Sequence, residues 1–196
     1  MIEVEKGFNL TEEQERALID GAEFLGEKKF TDVYYDDTQY SLTLSDHWLR
    51  KRDGRFELKV SMNKPLEERI SDQYEELESD EAILQYFKAE AGKTMASFLE
   101  EKNYKPFCTV VTTTRRKYRK EGFNIDLDAM DFGYACAEIE LMIEDASSME
   151  EATQSIIQFA AKHGITEGNK WGKVIEYVKR NNPAHFQAFI DAGIIY

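Results

Sequence analysis

Four pairs of like charges, each two residues apart, punctuate the 196-residue sequence: Glu3-Val-Glu5, Arg50-Lys-Arg52, Asp126-Leu-Asp128 and Glu138-Ile-Glu140. Each falls in a strand-like run. Successive side chains of a strand point to opposite faces, so each doublet sets two equal charges on one face. In three of them the residue between is apolar (Val4, Leu127, Ile139) and suits a core on the other face. Gathering charge on one face of a sheet costs free energy unless the groups meet one another, water, a metal or a charged ligand. Clustered carboxylates suit a hard divalent cation, and guanidinium forks suit phosphate oxygens. Any single doublet fits a solvated sheet face with cross-strand ion pairs, each contributing ~0–1 kcal/mol. Four doublets in four strands, with the signs segregated by strand, fit a metal half-site facing an anion half-site. A metal-bound polyphosphate needs that arrangement.

The charge balance narrows the ligand. Net charge is −13 and the pI is near 4.8, which argues against a nucleic-acid surface, because backbone binding needs a basic face. Yet ten of the 25 Lys and Arg fall in two short stretches: Arg50, Lys51, Arg52, Arg55 and Lys59, then Arg115, Arg116, Lys117, Arg119 and Lys120. An acidic protein that concentrates its bases on two strands reserves them for a smaller anion. Cys108 and Cys136 stand in no metal-like spacing and suggest neither a disulfide framework nor a zinc site. The N-terminus lacks the basic and apolar stretches of a signal peptide, and no run approaches the ~20 apolar residues of a membrane helix, so a soluble, cytoplasmic monomer is the expectation.

Positioning those groups requires a strand-rich frame. Residues 2–8 read as a strand, and Thr11 with Gln14 reads as a capping box opening a helix over 12–23. Strands follow at 29–36, 47–52 and 55–61, the last two joined through Asp53-Gly54, a strong hairpin signal. Another runs from Asp72 to Glu78, ahead of helices over 80–90 and 93–102. Then come Phe107–Arg119, a turn at Glu121-Gly122, Phe123–Asp128 and Tyr134–Ile143, rich in β-branched and aromatic residues. Ser148 with Glu151 opens a helix that stops at Gly164, and 170–192 is helical with a break at Pro183. About eight mostly antiparallel strands with ionisable residues on one face predict an α+β fold. The expected form is a closed eight-stranded antiparallel β-barrel with a polar lumen and flanking helices, in one domain over 1–196.

The segments MIEVEKGF (1–8), Tyr34-Tyr35-Asp36, SDHWLRKR (45–52), FELK (56–59), Tyr74 with Glu76, NIDLD (124–128), DFGYACAEIE (131–140) and KVIEYVKR (173–180) together resemble the CYTH, or triphosphate tunnel metalloenzyme, superfamily. The likeness is strongest to its branch that hydrolyses thiamine triphosphate. The resemblance runs from residue 2 to about 183. It implies an eight-stranded tunnel that binds a linear triphosphate with Mg²⁺, or Mn²⁺, and hydrolyses the terminal phosphoanhydride. On that resemblance Glu3, Glu5, Glu138 and Glu140 hold the activating metal, with Asp126, Asp128 and Glu76 supporting a second metal or the attacking water. Arg50, Arg52, Lys59, Arg115 and Lys173 grip phosphate oxygens, and Trp48 stacks on the thiamine moiety. Tyr34, Lys59, Glu76 and Asp128 are the residues it implies for catalysis. Glu57 and Arg119 stand evenly between ligand contact and internal partner. Lys51, Arg116 and Lys117 read as solvated surface, and His47, His163 and His185 as structural or exposed.

One departure matters. The superfamily hallmark is E-x-E-x-K, and Gly7 stands at the lysine position, with Lys6 beside it. An offset of one residue points Lys6 to the opposite face of the strand unless a bulge turns it inward. That leaves two alternatives to a thiamine triphosphatase: an inorganic triphosphatase, or a weakly catalytic triphosphate-binding protein.

Overall fold

A computed structural model describes residues 2–62, 72–168 and 171–195. Its strands are β1 (Ile2–Phe8), β2 (Glu23–Asp36), β3 (His47–Arg52), β4 (Arg55–Ser61), β5 (Asp72–Leu77), β6 (Lys105–Lys120), β7 (Phe123–Met130) and β8 (Tyr134–Ile143). They pair antiparallel in the order β1-β5-β4-β3-β2-β6-β7-β8, and β8 returns to pair with β1, so the eight form a ring. Among the described residues six helices flank it: α1 (Glu12–Ile19), α2 (Asp80–Tyr86), α3 (Met95–Lys102), α4 (Met149–Lys162), α5 (Lys173–Asn181) and α6 (Pro183–Asp191). No helix among the described residues is long and apolar enough to cross a membrane.

Local chemistry sets the joints. Thr11 and Gln14 form the capping box that starts α1. Asp53 and Gly54 have φ of 46° and 92°, and Glu121 and Gly122 have φ of 51° and 88°. Two successive positive-φ residues make the tight turns that match the twist of the flanking strands, so β3–β4 and β6–β7 are two-residue hairpins. Gly164 (φ 74°) ends the turn after α4, where the Ile165 N–H donates to the Ala160 carbonyl. Ser148 makes no side-chain cap for α4. A 3-10 turn over Ala146–Ser148 precedes the helix instead, with Asp145 accepting from the Ser147 N–H. β2 begins at Glu23, six residues before the expected start. The 16-residue β6 extends it, supplying pairing partners through Lys28 and Glu27 as far as Glu23↔Arg119.

The apolar pleat of the ring faces outward under helices. Val4, Phe8, Ile125, Leu127, Ala137 and Ile139 of β1, β7 and β8 pack with Ile156 and Phe159 of α4. Leu49, Leu58 and Val60 of β3 and β4 pack with Ile83 of α2 and Phe98 of α3. A third cluster lies on the inward pleat itself, where Tyr34, Trp48, Tyr74, Met130 and Cys136 meet Val174, Val178 and Phe189 of α5 and α6. Such burial contributes about 1.5–3 kcal/mol for each large apolar side chain, and it leaves the rest of the inward pleat to carry charge.

Candidate active site inside the ring

The strand registers bring the doublets onto common rungs. Glu5 lies opposite Glu140, and Gly7 opposite Glu138. Glu138 lies opposite Asp126, and Asp126 opposite Lys117. On the other side Tyr34 faces Arg50, Asp32 faces Arg52, Arg50 faces Glu57, and Lys59 faces Glu76. Directly opposed strand residues share a face, so acids from β1, β7 and β8 and bases from β3, β4 and β6 converge on one interior. Lys173, the first residue of α5, reaches in from outside the ring, its Nζ 3.1 Å from Asp128 and 3.8 Å from Glu138.

Arg115 sits among the acids. Its Nε donates to Asp128 Oδ1 at 2.6 Å and its Nη2 to Asp128 Oδ2 at 2.6 Å and Glu138 Oε2 at 2.5 Å, while Nη1 binds Asp126. Most of its N–H groups are therefore committed to carboxylates, and of the residues expected to grip phosphate it and Lys173 are placed on the acidic side. Arg50 donates to Glu57 at 2.7 Å, and Arg52 makes a two-pronged contact with Asp32 at 2.7 and 2.9 Å. Lys59 Nζ lies 3.4 Å from both Glu3 and Glu5 and 3.0 Å from Glu76.

These neighbours split the carboxyls. Burial, with Glu138 and Glu3 close by, pushes Glu5 up to about 8 against the pull of Lys59. Burial, Asp126 and Glu3 push Glu140 up to about 9. Burial also works against ionisation of Glu138, but Lys173 and Arg115 override it and hold that carboxyl well below the usual range. Asp32 is held low by Arg52 and Arg50, and Glu76 by Lys59 and Arg50, in both cases against burial. Neighbouring carboxylates in turn raise the pKa values of Lys59, Arg115 and Lys173 despite their burial, and Tyr34 followed by Asp32 and Glu57 does the same for Arg50.

Among the described residues three donor sets have ligand atoms within 4.8 Å of one another: Glu3, Glu5 and Glu140; Asp126, Glu138 and Glu140; and Asp128, Cys136 and Glu138. The first two are all-oxygen sets of the kind a hard divalent cation takes. Asp126 Oδ1 is buried without a hydrogen-bond partner. An unsatisfied carboxylate oxygen grouped with an ionised Glu138 and a Glu140 whose pKa is raised is what a cation would complete, so the residues fit one.

Two of the expected residues, Tyr34 opposite Arg50 and Trp48 opposite Lys59, lie on the inward pleat among apolar neighbours. Tyr34 is buried, 3% exposed, with its ring 6.3 Å from Phe107. Trp48 is 8% exposed, its indole N–H donating to Asp46 Oδ1 at 2.9 Å and its ring 6.0 Å from Phe189 of α6. Glu57 is an internal partner of Arg50, and Arg119 is exposed beside Asn124. Lys51 lies over Phe56 and Arg116 pairs with Glu15. Lys117 corrects the surface expectation: its Nζ donates to Asp126 Oδ2 at 2.8 Å inside the ring. His185 is fully buried, stacked on Tyr40 at 3.8 Å.

The strand carrying Gly7 is regular. β1 pairs with β8 without interruption from Ile2↔Ile143 to Phe8↔Ala137. No bulge turns Lys6 inward. It shares the outward pleat of Val4 and Phe8, and its Nζ lies where a Cβ on Gly168 would stand 3.2 Å away. Gly7 occupies the interior rung.

A family model described as the CYTH domain matches residues 1–174. This chain belongs to the CYTH family. Among similar proteins, the thiamine-triphosphatase of Macaca fascicularis is 26% identical over 184 residues, covering 84% of this chain and 78% of that protein. The thiamine-triphosphatase of Homo sapiens is 27% identical over 185 residues with the same coverage. Among solved structures, a Pyrococcus horikoshii OT3 protein superposes with a TM-score of 0.67 at 20% identity, covering 91% of this chain and 99% of its own. A Hippeastrum protein, described as a candidate adenylyl cyclase with a dominant triphosphatase activity, gives a TM-score of 0.55 at 17% identity, covering 91% of this chain and 94% of its own. At those identities the two structures establish the shared CYTH fold.

Two interior residues of this CYTH domain escaped the sequence reading. Asp32 and Phe30 alternate with Tyr34 on the inward pleat of β2. Their signal was the same two-residue period, continued back from Tyr34.

Proposed function

We propose that this protein binds a linear triphosphate with a divalent cation inside the ring and hydrolyses the terminal phosphoanhydride. On this reading the ring is a closed tunnel, thiamine triphosphate is the substrate, and thiamine diphosphate and phosphate are the products. The observation that carries the proposal is the pair of all-oxygen donor sets sharing Glu140, facing an arc of Arg50, Arg52 and Lys59. The names of the two similar mammalian proteins support the choice of substrate.

Glu3, Glu5, Glu138 and Glu140 would hold the cation, with Asp126 Oδ1 as a further oxygen donor. Bound Mg²⁺, or Mn²⁺, supplies charge neutralisation and polarisation of a phosphoryl oxygen. Arg50 and Arg52 each spend one edge on a carboxylate, Glu57 and Asp32 respectively. Their other edges face only longer ion pairs, Arg50 with Glu76 at 4.0 Å and Arg52 with Glu57 at 3.9 Å, and would orient phosphate oxygens. Lys59 and Lys173 add point charges. Glu76, held low by Lys59 and Arg50, stays ionised at neutral pH and orients a water as an acceptor. Asp128 keeps Arg115 and Lys173 in place. Phosphoryl transfer through a loose transition state needs positioning and charge neutralisation more than a strong base or a protein nucleophile.

Phosphate release from thiamine triphosphate, inorganic tripolyphosphate and ATP, each with and without Mg²⁺, tests the proposal. The expected result is Mg²⁺-dependent release with thiamine triphosphate preferred. Equal release without a divalent cation would overturn it. A second reading, a weakly catalytic triphosphate binder, is favoured by one observation: the interior rung opposite Glu138 carries Gly7, while Lys6 lies outside. Tight, metal-dependent tripolyphosphate binding without turnover would select that reading.

A further inference from the structure

Phe30 is an aromatic ring in a charged interior. It is 3% exposed and belongs to none of the three apolar clusters. Cations from four elements surround it instead. Arg52 Cζ lies 4.1 Å from the ring centroid, Arg115 Cζ 5.6 Å, Lys28 Nζ 5.8 Å and Lys173 Nζ 5.9 Å. Arg52 is the best placed, because Asp32 grips its guanidinium by one edge while the ring supports it from below.

The nearer cations already have carboxylate partners, Arg52 in Asp32 and Arg115 and Lys173 in Asp128, and each way of offsetting the repulsion that remains between them has a consequence for an anion bound there. A further carboxylate would neutralise the cations but repel phosphate and consume N–H donors. An aliphatic side chain would offer no attraction. The face of an aromatic ring carries negative quadrupole density, so it attracts cations without net charge and without spending a hydrogen-bond donor.

We infer that Phe30 is a positioning residue of the anion site, its ring face holding Arg52, Arg115 and Lys173 together so that they meet a polyphosphate as a preformed group. The inference rests on the triphosphate reading of this site. It assigns a role to the ring's electrons rather than to its volume, which sets it apart from core packing.

The test replaces Phe30 with 4-fluoro-, 3,5-difluoro- and 3,4,5-trifluorophenylalanine, which keep the ring's shape while progressively draining its face. Calorimetric titration with inorganic tripolyphosphate in the presence of Mg²⁺ is the readout. Affinity is expected to fall stepwise, reaching about tenfold weaker for the trifluoro ring. Phe30→Leu, if folded, is expected to be at least as weak. A flat series in a protein that binds tripolyphosphate would show that Phe30 only fills space, overturning the inference and leaving the function intact. A wild-type protein that binds no tripolyphosphate would remove the triphosphate reading, and this inference with it.

Discussion

The two arcs of the interior solve opposite problems. On β2, β3 and β4 each guanidinium has its own carboxylate, Arg50 with Glu57 at 2.7 Å and Arg52 with Asp32 at 2.7 Å. Asp32 there and Glu76 on the adjoining β5 are held below their usual range. On β7, β8 and β1 six carboxylates share Arg115, Lys117 and Lys173, with Lys59 at the margin. Two of the six, Glu5 and Glu140, are pushed up to about 8 and about 9. The basic arc is balanced within itself and reads as a rigid clamp. The acidic arc is short of positive charge, and its missing partner is a cation. A protein that only gripped anions would gain nothing from crowding glutamates until two of them hold their protons at neutral pH.

The comparison breaks most visibly if the acidic arc is neutralised. Glu138→Gln with Glu140→Gln keeps shape and removes two cation ligands, and it should lower Mg²⁺-dependent kcat by at least about 100-fold, near 2.7 kcal/mol of activation free energy. Steady-state phosphate release checks this, and wild-type rate with unchanged metal dependence would sink the assignment of the arc.

A smaller effect sharpens the comparison by adding charge to the poorer arc. Gly7→Lys places an ammonium on the rung of Glu138, facing the site, and should raise kcat several-fold, since one well-placed charge can contribute ~3 kcal/mol to a transition state. Lys6→Ala should change kcat by less than about twofold, because Lys6 lies on the outward pleat. Turnover abolished by Lys6→Ala would contradict the unbroken β1–β8 register.

How far this was legible in the sequence depended on how local the determinant was. The acidic and basic doublets, the Asp53-Gly54 turn and the Thr11 cap follow from a two-residue period or a few adjacent residues, and they lie in the expected elements. Lys117 obeyed the same period from Arg115, but its place in a basic run masked its face, and only the Lys117↔Asp126 register shows it pointing inward. The start of β2 depended on a distant partner, β6, and on register shifts between Phe24 and Gly26 and again near Tyr34. Trp48 lies on the inward pleat opposite Lys59, and its contact with Phe189 of α6, more than 130 residues away in the chain, is set by the assembled fold rather than by its neighbours in sequence. The shortage of positive charge around Glu5 and Glu140 is likewise a property of the assembled ring, because it arises from β1, β7 and β8 meeting.

That shortage has a direct signature in protons. Both glutamates are raised from the ordinary 4.5. Their contribution to the stability of the metal-free protein is therefore fully present below pH 4.5 and is lost as pH climbs through about 8 and about 9. A cation that takes their oxygens must displace the protons, so its affinity should rise over the same window. The decisive measurement is calorimetric titration of the protein with Mg²⁺ alone at pH 7, in buffers of different ionisation enthalpy. The expected result is release of about two protons per bound cation, falling toward none above about pH 9, with roughly one lost from the count in Glu140→Gln. Binding of Mg²⁺ at pH 7 with no proton release, or no binding at all, would contradict the claim that the acidic arc is a cation site held open by protonated glutamates.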